Sequence, residues 1–215
     1  VHLGICASFA AGTVRCDGRA RLEACQVARG LFSALPADPI DAGHGVYAPM
    51  AVAADEPHQL MNGLQQRLRE LEIPGAEEAA PADMVIVDGP LSGRQGVEQA
   101  IGLVKSHAVE YLPDAVTHVV ADLAPAERTP IFVTQTTWSR YSWYQRLPGG
   151  SGHPWAGIVR CETTADIPAA DAIRRADAAA STLGRFASEP FKDSRAPQNL
   201  YPIGGLEREL RRRLG

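Results

Sequence analysis

The carboxylate of Asp88 is the group in this sequence best placed to do chemistry. It closes a compact apolar run, residues 84–87, and is followed directly by Gly89-Pro90. A carboxylate at the carboxyl end of a buried strand projects into the crevice where α/β sheets bind ligands, which suits a metal ligand. The alternative is an aspartate that only begins a turn by bonding its own backbone. Position alone leaves both interpretations open.

Other carboxylates lie on segments with helical patterns. Glu70 and Glu72 end a leucine-faced segment, and Glu207 follows a glycine pair in the predicted first turn of a terminal helix. A solvated helix face or the helix dipole would explain each of them without chemistry. Together with Asp88, however, they offer the oxygen ligands that Mn²⁺ and Mg²⁺ prefer. Two such ions about 4 Å apart can activate water and stabilise the leaving oxygen of a phosphodiester.

Two further features suit a substrate that carries phosphate. Lys105 lies downstream of the apolar run, and a lysine near such a site can neutralise the attacked phosphate, although a lone lysine is more often simply solvated. Residues 138–146 interleave aromatic side chains with Arg140 and Arg146, a pattern that can stack bases and hold the phosphates of a single strand. For Trp143 in this segment, base stacking and a place in a core strand both remain open.

The elements that must position these residues begin with a predicted hairpin. Apolar and polar residues alternate from residue 1 onward, which is typical of a strand with one buried face. Asp17-Gly18 then supplies a turn that accepts positive φ, and a second strand is predicted over 20–29. The Pro- and Gly-rich residues 31–47 predict a loop.

A leucine-faced helix is predicted after this loop. Leucines recur at helical spacing over 56–72 and mark its buried side, and Pro74-Gly75 is expected to end it. Residues 75–81 would then form a short connection. The apolar run at 84–87 predicts a buried central strand that presents Asp88.

The rest of the chain continues to alternate between helix and strand patterns. Helices are predicted over 115–123, 168–183 and 205–214, and strands over 130–134, 142–147 and 155–162, whereas 97–107 fits either. Asp166 is the expected cap of the second of these helices. The order of elements indicates one mixed α/β domain over residues 1–215.

Composition fits a globular domain and sets limits on its partners. The 215 residues suffice for one domain with a full core, and the formal net charge of -4 provides no global basic field to attract nucleic acid. This counts mildly against a passive DNA-coating protein and little against a nuclease, whose metal site needs acids. The four cysteines lack zinc-ligand spacing and no apolar run approaches a membrane span, which predicts a reduced, cytoplasmic protein that does not enter a membrane.

Five segments carry a resemblance to a known family. They are MVIVDGPL at 84–91, GLVKSH at 102–107, SWYQRL at 142–147, WAGIVRC at 155–161 and RAPQNLYPIGGLE at 195–207. In this order and spacing they resemble the NurA family of DNA-end-processing nucleases, in its actinobacterial branch. The resemblance implies a ribonuclease-H-like α/β core, in which helices flank a mixed sheet, and a homodimer. It also implies Mn²⁺- or Mg²⁺-dependent cleavage of DNA with two bound ions, in partnership with a hexameric HerA-type translocase.

The resemblance assigns roles to particular residues. Asp88 matches the aspartate of the family's DG motif, and Glu72, in preference to Glu70, matches its helix glutamate by position. Near the C-terminus, Asn199 stands where the family has a tyrosine and Glu207 where it has a histidine. Asn can orient a phosphate or water, and Glu can bind metal, so both substitutions are chemically tolerable.

The family's remaining aspartate, on its first strand, finds no match here. Asp17 is explained by its turn, so we expect that first strand to precede Val1 and to be missing from this chain. The predicted metal ligands are Asp88, Glu72 and Glu207, and Lys105 and Asn199 complete the predicted catalytic set. The predicted DNA contacts are Arg140, Trp143, Arg146 and Arg195.

Two other functions remain as alternatives. The missing aspartate and the altered C-terminal pair also fit a catalytically impaired relative that dimerises and docks on a ring ATPase as an adaptor. A nucleotide-binding α/β protein is disfavoured, because no phosphate-cradling Gly-rich loop follows a strand.

Overall fold

The computed structural model describes residues 3–53, 56–79, 82–107, 109, 111–150, 152–189 and 196–215. Its strands are β1 (Gly4–Cys16), β2 (Ala20–Ser33), β3 (Ile40–Asp41), β4 (Val46–Ala51), β5 (Val85–Asp88), β6 (Ala100–Val104), β7 (Phe132–Gln135), β8 (Ser139–Arg146) and β9 (Ile158–Thr164). Its helices are α1 (Pro57–Glu78), α2 (Asp114–Asp122), α3 (Ala169–Leu183) and α4 (Tyr201–Leu214). The protein is therefore mixed α/β, as predicted, and its strands form two mixed sheets.

The chain divides into two compact units. The first comprises Val1–Ala79 together with Leu206–Gly215, and the second comprises Ala80–Gly205. Each unit has its own sheet and its own buried cluster of apolar side chains. Among the described residues, no helix has both the length and the apolar character that a bilayer crossing requires.

The first unit is built on the predicted hairpin. β1 and β2 pair antiparallel, and Gly18 at the tip has φ +94°, which glycine adopts without strain. β4 pairs parallel with β2 and antiparallel with β3, giving the order β1-β2-β4-β3. The loop predicted over 31–47 is wrong at both ends: β2 runs on to Ser33, and β3 and the start of β4 lie inside it. Pairing within the sheet outweighs the local preference of Pro and Gly for loops.

The leucine face of α1 packs on this sheet, as predicted. Leu60 is fully buried beside Phe9 and Phe32, and the later leucines of the same face join them: Leu64, Leu68 and Leu71. The predicted end of the helix at Pro74 is wrong, because α1 continues to Glu78. Gly75 lies against β1, where an added Cβ would come within 2.6 Å of the Thr13 hydroxyl, so packing extends past the proline.

The later part of α4 belongs to the same unit. Leu206 and Leu210 lie beside Gly12 of β1, where an added Cβ would come within 3.0 Å and 3.2 Å of their side chains. The helix begins at Tyr201, earlier than predicted, because the glycine pair continues the helix instead of starting it. Glu207 therefore lies in the second turn, where the helix dipole no longer explains its presence.

The second unit contains the strand that ends at Asp88. Its sheet has the order β5-β6-β9-β8-β7, in which β5 and β6 are parallel and the other neighbours antiparallel. The ambiguous segment 97–107 contains β6, which is buried along its whole length. The helices and strands predicted after it are confirmed with shifted ends.

One face of this sheet packs on α3. Ala176 and Ala179 of the helix meet Leu103, Trp143 and Cys161 of the strands in one buried cluster. The predicted cap at Asp166 is wrong, because α3 follows Pro168 without a side-chain cap. The Asp166 carboxylate accepts a hydrogen bond from the Thr164 hydroxyl at 2.8 Å instead.

Candidate functional site

Asp88 lies at the carboxyl end of β5, where the sequence placed it. Because β5 and β6 are parallel and Asp88 stands opposite Leu103, the carboxyl ends of both strands meet at one edge of the sheet. Gly89 follows with φ +97° and ends the strand, and its N–H donates to the Leu103 carbonyl at 2.9 Å. The Asp88 side chain remains 40% exposed, so its carboxylate is accessible to a ligand.

Three predicted site residues come together at this edge. Lys105 Nζ lies 2.6 Å from Asp88 Oδ1 and donates to Asn199 Oδ1 at 3.3 Å. Lys105 follows directly after β6, whereas the fully buried Asn199 precedes α4. The ammonium group thus bridges a carboxylate and an amide oxygen supplied by distant parts of the sequence, in a charge-assisted arrangement.

An open pocket adjoins these groups. Its volume is about 420 Å³, within the range of small-ligand sites in proteins. It is lined by residues 88–90 and 103–106 and by Gln198. A phosphate-bearing group that entered this pocket would meet Asp88 and Lys105 together.

The oxygen donors at this edge fit one divalent ion. Asp88 offers a carboxylate and Asn199 an amide oxygen, and Mg²⁺ and ions like it commonly combine one or two carboxylates with several waters. Within either unit, the described residues contain no group of three or more His, Cys, Asp or Glu side chains that could hold a metal ion. The number of bound ions stays a prediction.

Glu72 and Glu207, the other predicted metal ligands, belong to the first unit. Both side chains are half-buried, Glu72 in α1 and Glu207 in α4. Glu70 is exposed and accepts hydrogen bonds from Gln66 at 3.0 Å and Arg67 at 2.7 Å, which together hold the pKa of its carboxyl below the usual range. The preference for Glu72 over Glu70 stays a prediction.

The predicted DNA contacts in β8 face the protein interior. Trp143 is fully buried and its Nε1 donates to Gln145 Oε1 at 3.1 Å, so the prediction that it stacks on bases is wrong. Arg140 is also buried, and its Nε lies 3.0 Å from Glu162 Oε2. Arg146 donates to the backbone carbonyls of residues 121, 123, 154 and 156.

Both guanidinium groups are thus engaged within the second unit, Arg140 with the Glu162 carboxylate and Arg146 with backbone carbonyls. Because both side chains are held by partners inside the protein, the DNA-binding roles predicted for Arg140 and Arg146 are wrong as well. Arg195, the remaining predicted DNA contact, lies outside the described residues.

Glu162 in β9 was not among the residues predicted from the sequence. It is 1% exposed, and its Oε1 accepts a hydrogen bond from the Leu91 N–H at 2.7 Å. Arg160 also donates to this carboxylate. The sequence does contain a signal for such a cluster: Arg160 and Glu162 alternate with the apolar Val159 and Cys161, which indicates a central strand with one charged face.

Comparison with protein-family models and with curated proteins gave no match to this chain. The candidate site is therefore defined by the geometry around Asp88.

Proposed function

We propose that this protein is a divalent-metal-dependent deoxyribonuclease of the NurA type that processes DNA ends on a ribonuclease-H-like scaffold. The observation that supports this most directly is the convergence of Asp88, Lys105 and Asn199 beside an open pocket at the edge of β5 and β6. The sequence predicts a catalytic role for each of these three residues.

Each group at the edge has a definable part in phosphodiester cleavage. Asp88 and Asn199 would hold Mn²⁺ or Mg²⁺, and Glu72 and Glu207 are the proposed ligands of a second ion. Such ions, when bound, polarise a phosphoryl oxygen and lower the pKa of water. Lys105 would exchange its contact with Asp88 for one with the phosphate, whose negative charge it neutralises.

The proposed partners follow from the resemblance to NurA nucleases. We propose a homodimer that receives DNA from a hexameric HerA-type translocase, with Arg195 among the DNA contacts. Arg195 belongs to the segment 195–207, which carries much of the resemblance.

A second candidate function is a dimeric adaptor on a ring ATPase. Two observations favour it: Lys105 already neutralises Asp88, and neither unit gathers three metal-binding side chains among its described residues. An adaptor would need the fold, but its Asp88 would not have to release Lys105 in order to bind a metal ion.

Degradation of end-labelled single- and double-stranded DNA with Mn²⁺ separates these functions. Asp88→Ala should lower the rate at least about a hundredfold, because it removes the carboxylate on which the proposed site depends. Asp83→Ala is the matched control, since this exposed aspartate precedes the other end of β5 and should be dispensable. No cleavage by the unaltered protein, even with a HerA-type partner supplied, would overturn the nuclease proposal and favour the adaptor.

A further inference from the structure

The turn that follows Asp88 is fixed by a buried carboxylate to which the proposed reaction assigns no role. Glu162 Oε1 accepts the Leu91 N–H at 2.7 Å, and both residues are 1% exposed. Leu91 comes shortly after Asp88, on the far side of the Gly89-Pro90 turn. The bond therefore holds the chain where it leaves the candidate site.

Two arginines hold Glu162 in place. Arg140 Nε lies 3.0 Å from Glu162 Oε2, and Arg160 donates to the same oxygen. The Tyr111 ring in turn covers both guanidinium groups, at 5.5 Å from Arg140 and 4.5 Å from Arg160. The arginines thus engage one carboxylate oxygen, and the other accepts from Leu91 in a charge-assisted bond, about twice as strong as a neutral one.

Gly102 makes the space in which the turn and the carboxylate meet. It stands opposite Glu162 in the pairing of β6 with β9. A Cβ at this position would come within 2.8 Å of the Gly89 carbonyl oxygen and 3.1 Å of Glu162 Cγ. Because the nearer atom is backbone, an alanine would have to displace the turn itself.

We infer that Glu162 is a positioning residue for Asp88: its ionised carboxylate, held by Arg140 and Arg160, fixes the turn from Asp88 to Leu91 through the Leu91 N–H. Mutation of groups that orient metal ligands in this way typically lowers metal affinity or activity by about 10- to 100-fold. The consequence for catalysis rests on the proposed function, whereas the effect on the turn is a property of the fold.

Amide hydrogen exchange at Leu91 tests the inference directly. In Glu162→Gln the acceptor is neutral and weaker, so the Leu91 amide should exchange about tenfold faster or more. Asp177→Asn is the matched control, because it removes the charge from a carboxylate that pairs with Arg128 at 2.6 Å on the surface of the same unit. Unchanged Leu91 exchange in a folded Glu162→Gln variant would overturn the inference.

A second variant decides the question if Glu162→Gln does not fold. Gly102→Ala should displace the turn, speed Leu91 exchange and weaken Mn²⁺ binding at least about threefold. When Asp88 is already replaced by Asn, the same glycine substitution should cause no further loss of Mn²⁺ binding. Gly96→Ala is its control, since a Cβ at Gly96 meets nothing within 4 Å. Normal exchange and normal Mn²⁺ affinity in Gly102→Ala would also overturn the inference.

The exchange measurement needs neither DNA nor metal, so failure of the two proposals can be told apart. Faster Leu91 exchange in Glu162→Gln, together with no cleavage of DNA by the unaltered protein, would support the positioning role and refute the nuclease. In an active nuclease, Glu162→Gln should lower kcat while KM changes little, because a misplaced Asp88 impairs the chemical step more than DNA binding. An unchanged kcat would overturn the positioning role.

Discussion

Asp88 and Glu162 are both carboxylates of the second unit that face basic side chains, and they differ chiefly in their access to water. The Asp88 side chain is 40% exposed and its partner Lys105 is 21% exposed, whereas Glu162 is 1% exposed between two arginines. An ion pair within reach of water contributes little to stability and can open. A buried charge must keep its partners. Exposure to solvent therefore distinguishes Asp88, which can bind a ligand, from Glu162, which must keep its buried partners.

The largest expected effect is the loss of stability when the buried carboxylate is removed. Glu162→Leu leaves Arg140 and Arg160 as buried charges without their carboxylate, which should lower the free energy of unfolding by about 3–5 kcal/mol. Urea denaturation at neutral pH measures this change through the shift of the midpoint. Asp88→Asn, measured in the same way, should cost no more than about 1 kcal/mol because its ion pair is accessible to water.

Replacing the whole buried cluster provides the control for this result. In the triple variant Arg140→Met, Glu162→Leu, Arg160→Met, no buried charge lacks a partner, so most of the lost stability should return. If Glu162→Leu and Asp88→Asn cost the same, the distinction between the two carboxylates would be wrong.

A smaller effect is expected when the cation at Asp88 is removed. Lys105→Met should raise the affinity for Mn²⁺ about tenfold, because the ammonium competes for the same carboxylate and unit charges this close interact by about 1–4 kcal/mol outside the deep interior. Isothermal titration calorimetry measures the affinity without DNA. Lys105→Arg keeps the charge and should bind Mn²⁺ no better than the unaltered protein.

Equal Mn²⁺ affinity in the Met and Arg variants of Lys105 would show that the lysine does not compete with a metal ion. Asp88 would then resemble Glu162 in retaining its partner, and the comparison between an exchangeable and a fixed carboxylate would fail.

The elements of the fold were predictable where one local pattern dominates. The Asp17-Gly18 turn and the leucine spacing of α1 each specify a structure through a single short-range rule. The end of α1 was not predictable, because contact of Gly75 with β1 overrides the effect of Pro74. Such contacts depend on residues far away in the sequence, which no local pattern contains.

The candidate site shows the same division. Asp88 was predictable because a strand-ending carboxylate before a glycine is a local signal. Lys105 was predictable only as a positive charge that could neutralise a phosphate near that carboxylate. The burial of Trp143 and the role of Glu162 were not predictable, since both depend on which strands become neighbours in the sheet. Within β9, the alternation of Arg160 and Glu162 with apolar residues indicates a charged inner face without naming the partner.

The smallest effect is expected at Glu70, whose side chain is 42% exposed, close to the 40% of Asp88, and whose hydrogen-bond partners belong to its own helix. Its bonds to Gln66 and Arg67 lower the pKa of the folded carboxyl. Their stabilisation is therefore present above the unfolded pKa of about 4.3 and is lost as the pH falls through the lower folded pKa. Glu70→Gln should cost no more than about 0.5 kcal/mol near neutral pH, and the difference in Tm from the unaltered protein should vanish in acid. A cost at Glu70 as large as that expected at the buried Glu162 would show that exposure does not distinguish these carboxylates, and that the freedom of Asp88 to exchange its partner needs another cause.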